Sequence, residues 1–311
     1  MIYRAPAILF HPHLETIYPS LFRTVSIPPY TRERISTPDD DFLDLDWLTN
    51  KSNKLVIISH GLEGNSQRAY IKGMAKHFFS NGFDALAWNY RGCSEEINKQ
   101  RRFYHSGATD DLDIVIQHAL SKGYEELVLV GFSLGGNLTL KYLGEQVRDK
   151  RILKSVVFSV PMNLHTSCQK ISHPSNWMYS DRFLKSLKKK VQDKAALRND
   201  LYVSSLPSIK TLQDFDDHYT SVLHGYRDAV DYYTQCSSIR FVESIQIPSL
   251  VVNALNDPFL SPECYPVDLL KNHDYVQLEI PSRGGHVGFT QFSKKGLFWS
   301  EERALHFATQ P

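Results

Sequence analysis

Apolar and polar positions along the chain fall into two alternating rhythms. Short, nearly continuous apolar runs occur at Leu55–Ser59, Ala85–Asn89, Leu127–Val130, Ser155–Val160, Ser249–Ala254 and Tyr275–Ile280. That is the form of strands buried on both faces. Phe42–Trp47 differs: Leu43, Leu45 and Trp47 alternate with Phe42, Asp44 and Asp46, which predicts a half-exposed, antiparallel edge strand. Between the strands, residues 67–80, closed by Asn81-Gly82, and residues 110–121 predict helices. For the second, Thr109 is the expected N-cap, Asp110, Asp111 and Asp113 place negative charge where the helix dipole favours it, and Gly123 sits near the end. Such alternation gives an α/β chain with a mostly parallel sheet covered on both faces. The rhythm breaks over residues 164–247, which hold no convincing strand. This stretch carries a basic amphipathic segment, Asp181–Arg198, and then an aromatic-rich one, Phe215–Tyr233. The chain thus divides into a first core part (1–163), a helical insertion (164–247) and a second core part (248–311).

Composition narrows this picture. With 311 residues, 42% hydrophobic and 22% charged, the chain can bury a large core as a soluble globular protein. A formal net charge of +1 gives no electrostatic reason to expect nucleic acid. Cys93, Cys168, Cys236 and Cys264 are widely spaced with no Cys-x-x-Cys, which argues for reduced thiols in a cytoplasmic protein rather than a disulfide framework or zinc ribbon. Met1–Phe10 lacks the apolar core of a secretory signal, and no apolar run reaches the roughly 18 residues of a membrane span.

The most specific chemistry lies at Gly131-Phe132-Ser133-Leu134-Gly135, between an apolar strand and the helix-like run Asn137–Tyr142. Strand, Gly-x-Ser-x-Gly, helix is the form of a nucleophile elbow. A serine aimed out of so sharp a turn sits in a strained conformation, and residues two positions away must be small. A serine hydroxyl also needs a base within hydrogen-bond reach, and that base an orienting acid. Asp257 follows the strand Leu250–Leu255 directly, in Asn256-Asp257-Pro258; Asp268, in an expected helix, and Asp274, at a strand start, are its less suitable rivals. His286, in Arg283-Gly284-Gly285-His286-Val287-Gly288-Phe289, stands out among 13 histidines because it follows the last strand in a glycine-rich loop. His60-Gly61-Leu62-Glu63-Gly64 follows the strand Leu55–Ser59 and offers the Leu62 backbone N–H, with that of Leu134, as an oxyanion site. The plainer reading of this glycine pair is a turn.

These motifs carry a family resemblance that spans nearly the whole chain. Pro12-His13-Leu14-Glu15-Thr16, Tyr18-Pro19, the run Thr37–Trp47, His60–Gly64, Asn89–Ser94, Gly131–Gly136, Phe215-Asp216 with Tyr232-Tyr233, Asp257-Pro258-Phe259 and Gly285-His286 resemble the YheT-like branch of the α/β-hydrolases. Asp40 departs from the pattern, where a turn glycine is expected. The resemblance implies an α/β-hydrolase fold with an eight-stranded, mostly parallel sheet and a helical cap over the site. It also implies a Ser133–His286–Asp257 triad, no cofactor, and hydrolysis of short- to medium-chain acyl esters or acyl lipids. A thioesterase or acyltransferase with the same triad, or a non-catalytic scaffold of the same fold, are the alternatives.

Other signals weigh less. The basic residues Arg182, Lys185, Lys188, Lys189, Lys190, Lys194 and Arg198 read first as a solvated helix face, and second as a peripheral contact with anionic membranes or substrates. His11-Pro12-His13 lacks a third ligand, so no metal is expected. Cys93 reads as a buried small residue before a reactive thiol. Tyr219, Tyr226, Tyr232 and Tyr233 either line an acyl pocket or pack the insertion onto the sheet.

Overall fold

A computed structural model describes residues 1–293 and 295–310. The strands are β1 (Thr31–Ser36), β2 (Phe42–Leu48), β3 (Lys54–Ser59), β4 (Asp84–Asn89), β5 (Glu126–Phe132), β6 (Ile152–Phe158), β7 (Ser249–Val252) and β8 (Val276–Glu279). They form one sheet in the order β1-β2-β4-β3-β5-β6-β7-β8. β2 runs antiparallel to both its neighbours, and all pairs from β4 onward are parallel.

The expected edge strand is corrected here. β2 is antiparallel, but it is buried along its whole length and lies second from the edge. The edge is β1, whose sequence Thr-Arg-Glu-Arg-Ile-Ser has almost no apolar signature. Asp44 and Asp46 looked solvent-facing by alternation. They are covered instead by Arg34 and Arg32 of β1, each donating Nε to a carboxylate oxygen at 2.7 Å. The Arg34 guanidinium also lies 3.8 Å from the centre of the Phe42 ring. Charged arginines on an exposed edge also discourage pairing with a further strand. The turn into β2 holds Asp40 at φ 57, the left-handed conformation for which glycine was expected.

Alternating side chains give the sheet two apolar faces. Leu55, Ile57, Leu86, Leu127 and Leu129 pack with helices α3 (Thr109–Ser121) and α4 (Leu134–Glu145). Val56, Ile58, Val128, Val130 and Phe132 pack with α2 (Ala69–Phe79) and the C-terminal α11 (Trp299–Thr309). Thr109 is the first residue inside α3 rather than its cap. Ala108 occupies the cap position without a side-chain bond, and Asp110 and Asp111 lie in the first turn.

Helix α1 (Pro12–Phe22) precedes the sheet. Residues 164–247 contain no strand; they form α5 (Leu164–Ser172), the long α6 (Trp177–Ala195), α7 (Leu212–Phe215), a π-helical turn (Asp216–Thr220), α8 (Ser221–His224) and α9 (Ala229–Cys236). A short α10 (Val267–Leu270) carries the exposed Asp268 between β7 and β8. No helix among the described residues is long and apolar enough to cross a membrane.

Candidate active site

Ser133 stands between the end of β5 and the start of α4 with φ 53 and ψ −119. A non-glycine residue held there is strained and persists only because its surroundings over-determine it. A Cβ on Gly131 would lie 2.5 Å from the carbonyl oxygen of Gly135, and one on Gly135 would overlap the carbonyls of Ser59 and His60. Both glycines are therefore fixed by close backbone approach.

Two loops at the carboxyl edge of the sheet bring the partners. Asp257 follows β7, is 3% exposed, and accepts the Phe259 N–H at 2.9 Å. His286 follows β8; its Nδ1 lies 2.9 Å from Asp257 Oδ2 and its Nε2 2.9 Å from Ser133 Oγ. This arrangement assigns the Nδ1–H tautomer, with Nε2 free to accept from the serine. Asp268 and His273 lie elsewhere, His273 accepting the Tyr275 and Val276 N–H groups in a turn.

The loop after β3 lies against the serine. A Cβ on Gly61 would sit 3.3 Å from Ser133 Cβ. The N–H groups of Leu62 and Leu134 have no acceptor among the described residues, as an anion site requires. Several groups that the sequence reading missed hold this loop. His60 Nδ1 donates to Gly61 O at 2.8 Å; burial lowers its pKa to about 3, so the ring stays neutral. Gly61 N–H donates to Tyr70 Oη at 3.0 Å, and Glu63 N–H to Tyr104 Oη at 2.8 Å. Glu63, at φ 53, receives hydrogen bonds on its carboxylate from Tyr104 (2.7 Å), Ser186 (2.5 Å) and Lys190 (2.6 Å). Burial pushes the Glu63 pKa up, but the Lys190 charge and these three donors together leave it below the usual carboxylate range. Ser186 and Lys190 come from α6, so the inserted helix and the loop beside Ser133 share a largely buried ion pair.

Helix α1 performs the same service for His286. Thr16 Oγ1 accepts the His286 N–H at 2.9 Å. Glu15, 1% exposed, accepts from Asn256 Nδ2 (2.6 Å) and Gly284 N (3.1 Å) and pairs with Arg283 at 2.9 Å. In the sequence, Pro12–Thr16 counts only as part of the family resemblance and does not announce this contact, because α1 and the loop are far apart along the chain.

Above the serine lies a cavity of about 440 Å³, lined from the sheet side by Leu62, Leu134 and His286 and from the inserted helices by Leu164, Phe183, Leu187, Phe215, Tyr219, Tyr232 and Tyr233. Tyr226 packs beside it on His105 and Tyr232. Asp216 reaches the cavity from the π-helical turn, accepting from Tyr233 Oη (2.6 Å) and Thr220 Oγ1 (2.5 Å); burial pushes its pKa up to about 6. Cys93 is buried 3.2 Å from Lys190 Nζ, and burial pushes its thiol up to about 11. His13 Nδ1 contacts Tyr179 Oη at 3.0 Å, and no cluster of three or more potential ligands is placed to hold a metal among the described residues. Of the basic run, Lys185 and Lys189 pair with Asp181 and Asp193 one turn away, Arg198 pairs with Asp200, and Lys190 and Lys194 turn inward.

A family model described as the alpha/beta hydrolase fold matches residues 54–291, more than half of the chain. The chain belongs to the α/β-hydrolase family. Within this family it is 32% identical to the YheT protein of Escherichia coli (strain K12) over 89% of this chain and 84% of that one, which places it in the YheT-like branch. It is 30% identical to the phospholipase ABHD3 of Bos taurus, covering 84% of this chain and 67% of that one. The α/β-hydrolase fold also recurs in the esterase Pf2001 of Pyrococcus furiosus, with TM-score 0.60, 19% identity, and coverage of 92% of this chain and 95% of that one.

Proposed function

We propose that this chain is a serine hydrolase that cleaves carboxylic esters, either short- to medium-chain acyl esters or acyl lipids. One observation carries the reading: Ser133 Oγ, His286 and Asp257 stand in line, with 2.9 Å at each link, beside two unbonded amides and beneath an apolar cavity. Ser133 Oγ attacks the ester carbonyl while its proton passes to His286 Nε2. Asp257 holds the ring and stabilises the imidazolium that forms. The tetrahedral oxyanion accepts from the Leu62 and Leu134 N–H groups, each such donor being worth roughly 10²–10³ in rate. His286 then protonates the leaving alcohol. Water, deprotonated by the same nitrogen, attacks the acyl-enzyme and releases the acid and Ser133.

The helices of residues 164–247 serve as the cap, and their aromatic lining sets the acyl site. Relatives support the substrate class: the Escherichia coli protein is provisionally named an esterase, and a Saccharomyces cerevisiae relative, 28% identical over 87% of this chain and 61% of that one, is named a monoacylglycerol lipase. Four free, buried thiols support a cytoplasmic setting. A p-nitrophenyl ester series from short to long acyl chains, with Ser133→Ala as control, tests the reading. Hydrolysis that depends on Ser133 is expected, and equal rates in the control would defeat it. Thioester cleavage and transfer to an alcohol would pass through the same acyl-enzyme, and product analysis with added alcohol separates them.

A further inference from the structure

Helix α1 is amphipathic in the inverted sense. Its polar side chains Glu15 and Thr16 point inward to the His286 loop. Leu14, Tyr18, Leu21 and Phe22, spaced i, i+4, i+7 and i+8, share the other face. Most of that face is open to solvent: Leu14 is 40%, Leu21 65% and Phe22 69% exposed, while the half-buried Tyr18 packs on Phe22 and on the exposed Phe292. A globular protein ordinarily turns such a stripe into its core. The face does not stand alone. His13 of α1 meets Tyr179 of α6, and the two residues before Tyr179, Trp177 and Met178, are also exposed. The same helix lines the mouth of the active-site cavity through Ile17, Ser20 and Leu21. Arg68 and Arg182 line that mouth too, and neither is paired with a carboxylate among the described residues.

We infer that the outer face of α1, with the N-terminal turn of α6, docks onto a lipid bilayer carrying anionic headgroups, with the cavity mouth turned toward the acyl layer. A stripe of leucine and aromatic side chains beside unpaired arginines is the composition of an interfacial helix. The arginines decide the occupant. A second copy seated face to face would set the same cations against each other, whereas anionic headgroups complement them. The helix that would enter the interface is also the one whose inner face holds the His286 loop, so docking and the site share one rigid element. The surface requires no chemistry at Ser133 and can be tested without it.

The test is sedimentation of the full chain carrying Ser133→Ala with vesicles of phosphatidylcholine, with and without phosphatidylglycerol. Leu14→Ser/Phe22→Ser is compared in the same background. In the Ser133 form, the thermal midpoint and the rate on a soluble short-chain ester serve as fold controls, since neither side chain touches the cavity. The expected result is binding to anionic vesicles that weakens with salt, falls on neutral vesicles, and drops at least about tenfold in the double variant. Absence of binding, equal binding by the double variant, or equal binding to both vesicles would overturn the proposal. So would a solution dimer that the double substitution dissociates. Loss of ester hydrolysis with vesicle binding intact would instead count against the catalytic reading alone.

Discussion

Tyr104→Phe removes one oxygen, and the structure gives that oxygen a defined task. Tyr104 Oη accepts the Glu63 N–H at 2.8 Å and donates to Glu63 Oε1 at 2.7 Å, one residue beyond the proposed Leu62 donor. The ring stays, and with it the packing against Tyr90 and the Lys190 ammonium 4.8 Å from its centre. The substitution leaves a largely buried backbone N–H unpaired, costing about 1–3 kcal/mol, and removes a donor from a buried carboxylate, a loss of similar size. A stability decrease of at least about 2 kcal/mol is expected from a denaturation midpoint. Catalysis should fall further than stability alone explains. A complete oxyanion donor contributes roughly 10²–10³, so a displaced one should lower kcat about tenfold to hundredfold with KM little changed, because the interaction strengthens in the transition state. Steady-state hydrolysis of p-nitrophenyl butyrate, measured well below the melting temperature, gives both constants. A lowered midpoint with kcat within about twofold of wild type would refute the reasoning and leave the hydroxyl a purely structural role.

Three further outcomes follow from the same contacts. Gly135→Ala places a Cβ into the carbonyls of Ser59 and His60 and should cost more than about 3 kcal/mol in chemical denaturation, since backbone on both sides resists relaxation. Thr16→Val removes the acceptor of the His286 N–H and should lower kcat about three- to tenfold while leaving the melting temperature within a few degrees. Asp216 has its pKa raised from 3.8 to about 6 by burial, so between these values the folded chain holds a proton that the unfolded chain has lost. Stability from this group is therefore full below about pH 4 and declines as pH rises toward 6, by at most about 3 kcal/mol; Asp216→Asn should flatten that slope in melts across pH 4–7.

What could be read from the sequence was what leaves a local mark. A serine held at positive φ demands glycines around it, and a loop crossing above a sheet end demands them near His286. Those marks pointed to Ser133, His286 and, through strand position, Asp257, and the fold brings His286 within hydrogen-bond reach of both others. Six buried apolar runs and the alternating Phe42–Trp47 marked seven of the eight strands. β1 escaped because an edge strand held by arginine–aspartate pairs has no apolar period, and the same pairs made β2 look half-exposed. The groups that hold the site escaped for another reason. Glu63 with Lys190, and Glu15 with Gly284, meet only after the chain has folded. Nothing near either residue in sequence announces the partner. The basic run of residues 181–198 shows the converse: its charge was visible, but its engagement with Glu63, Asn98 and neighbouring aspartates was not.

The central claim is that Ser133 is a nucleophile activated by His286. A fluorophosphonate reacts with such a serine and spares ordinary hydroxyls, and peptide mass spectrometry places the adduct. The account predicts one adduct per chain, on Ser133, abolished by Ser133→Ala and strongly slowed by a His286→Ala substitution. No adduct on the folded wild-type chain, or an adduct at another residue that persists in Ser133→Ala, would contradict it.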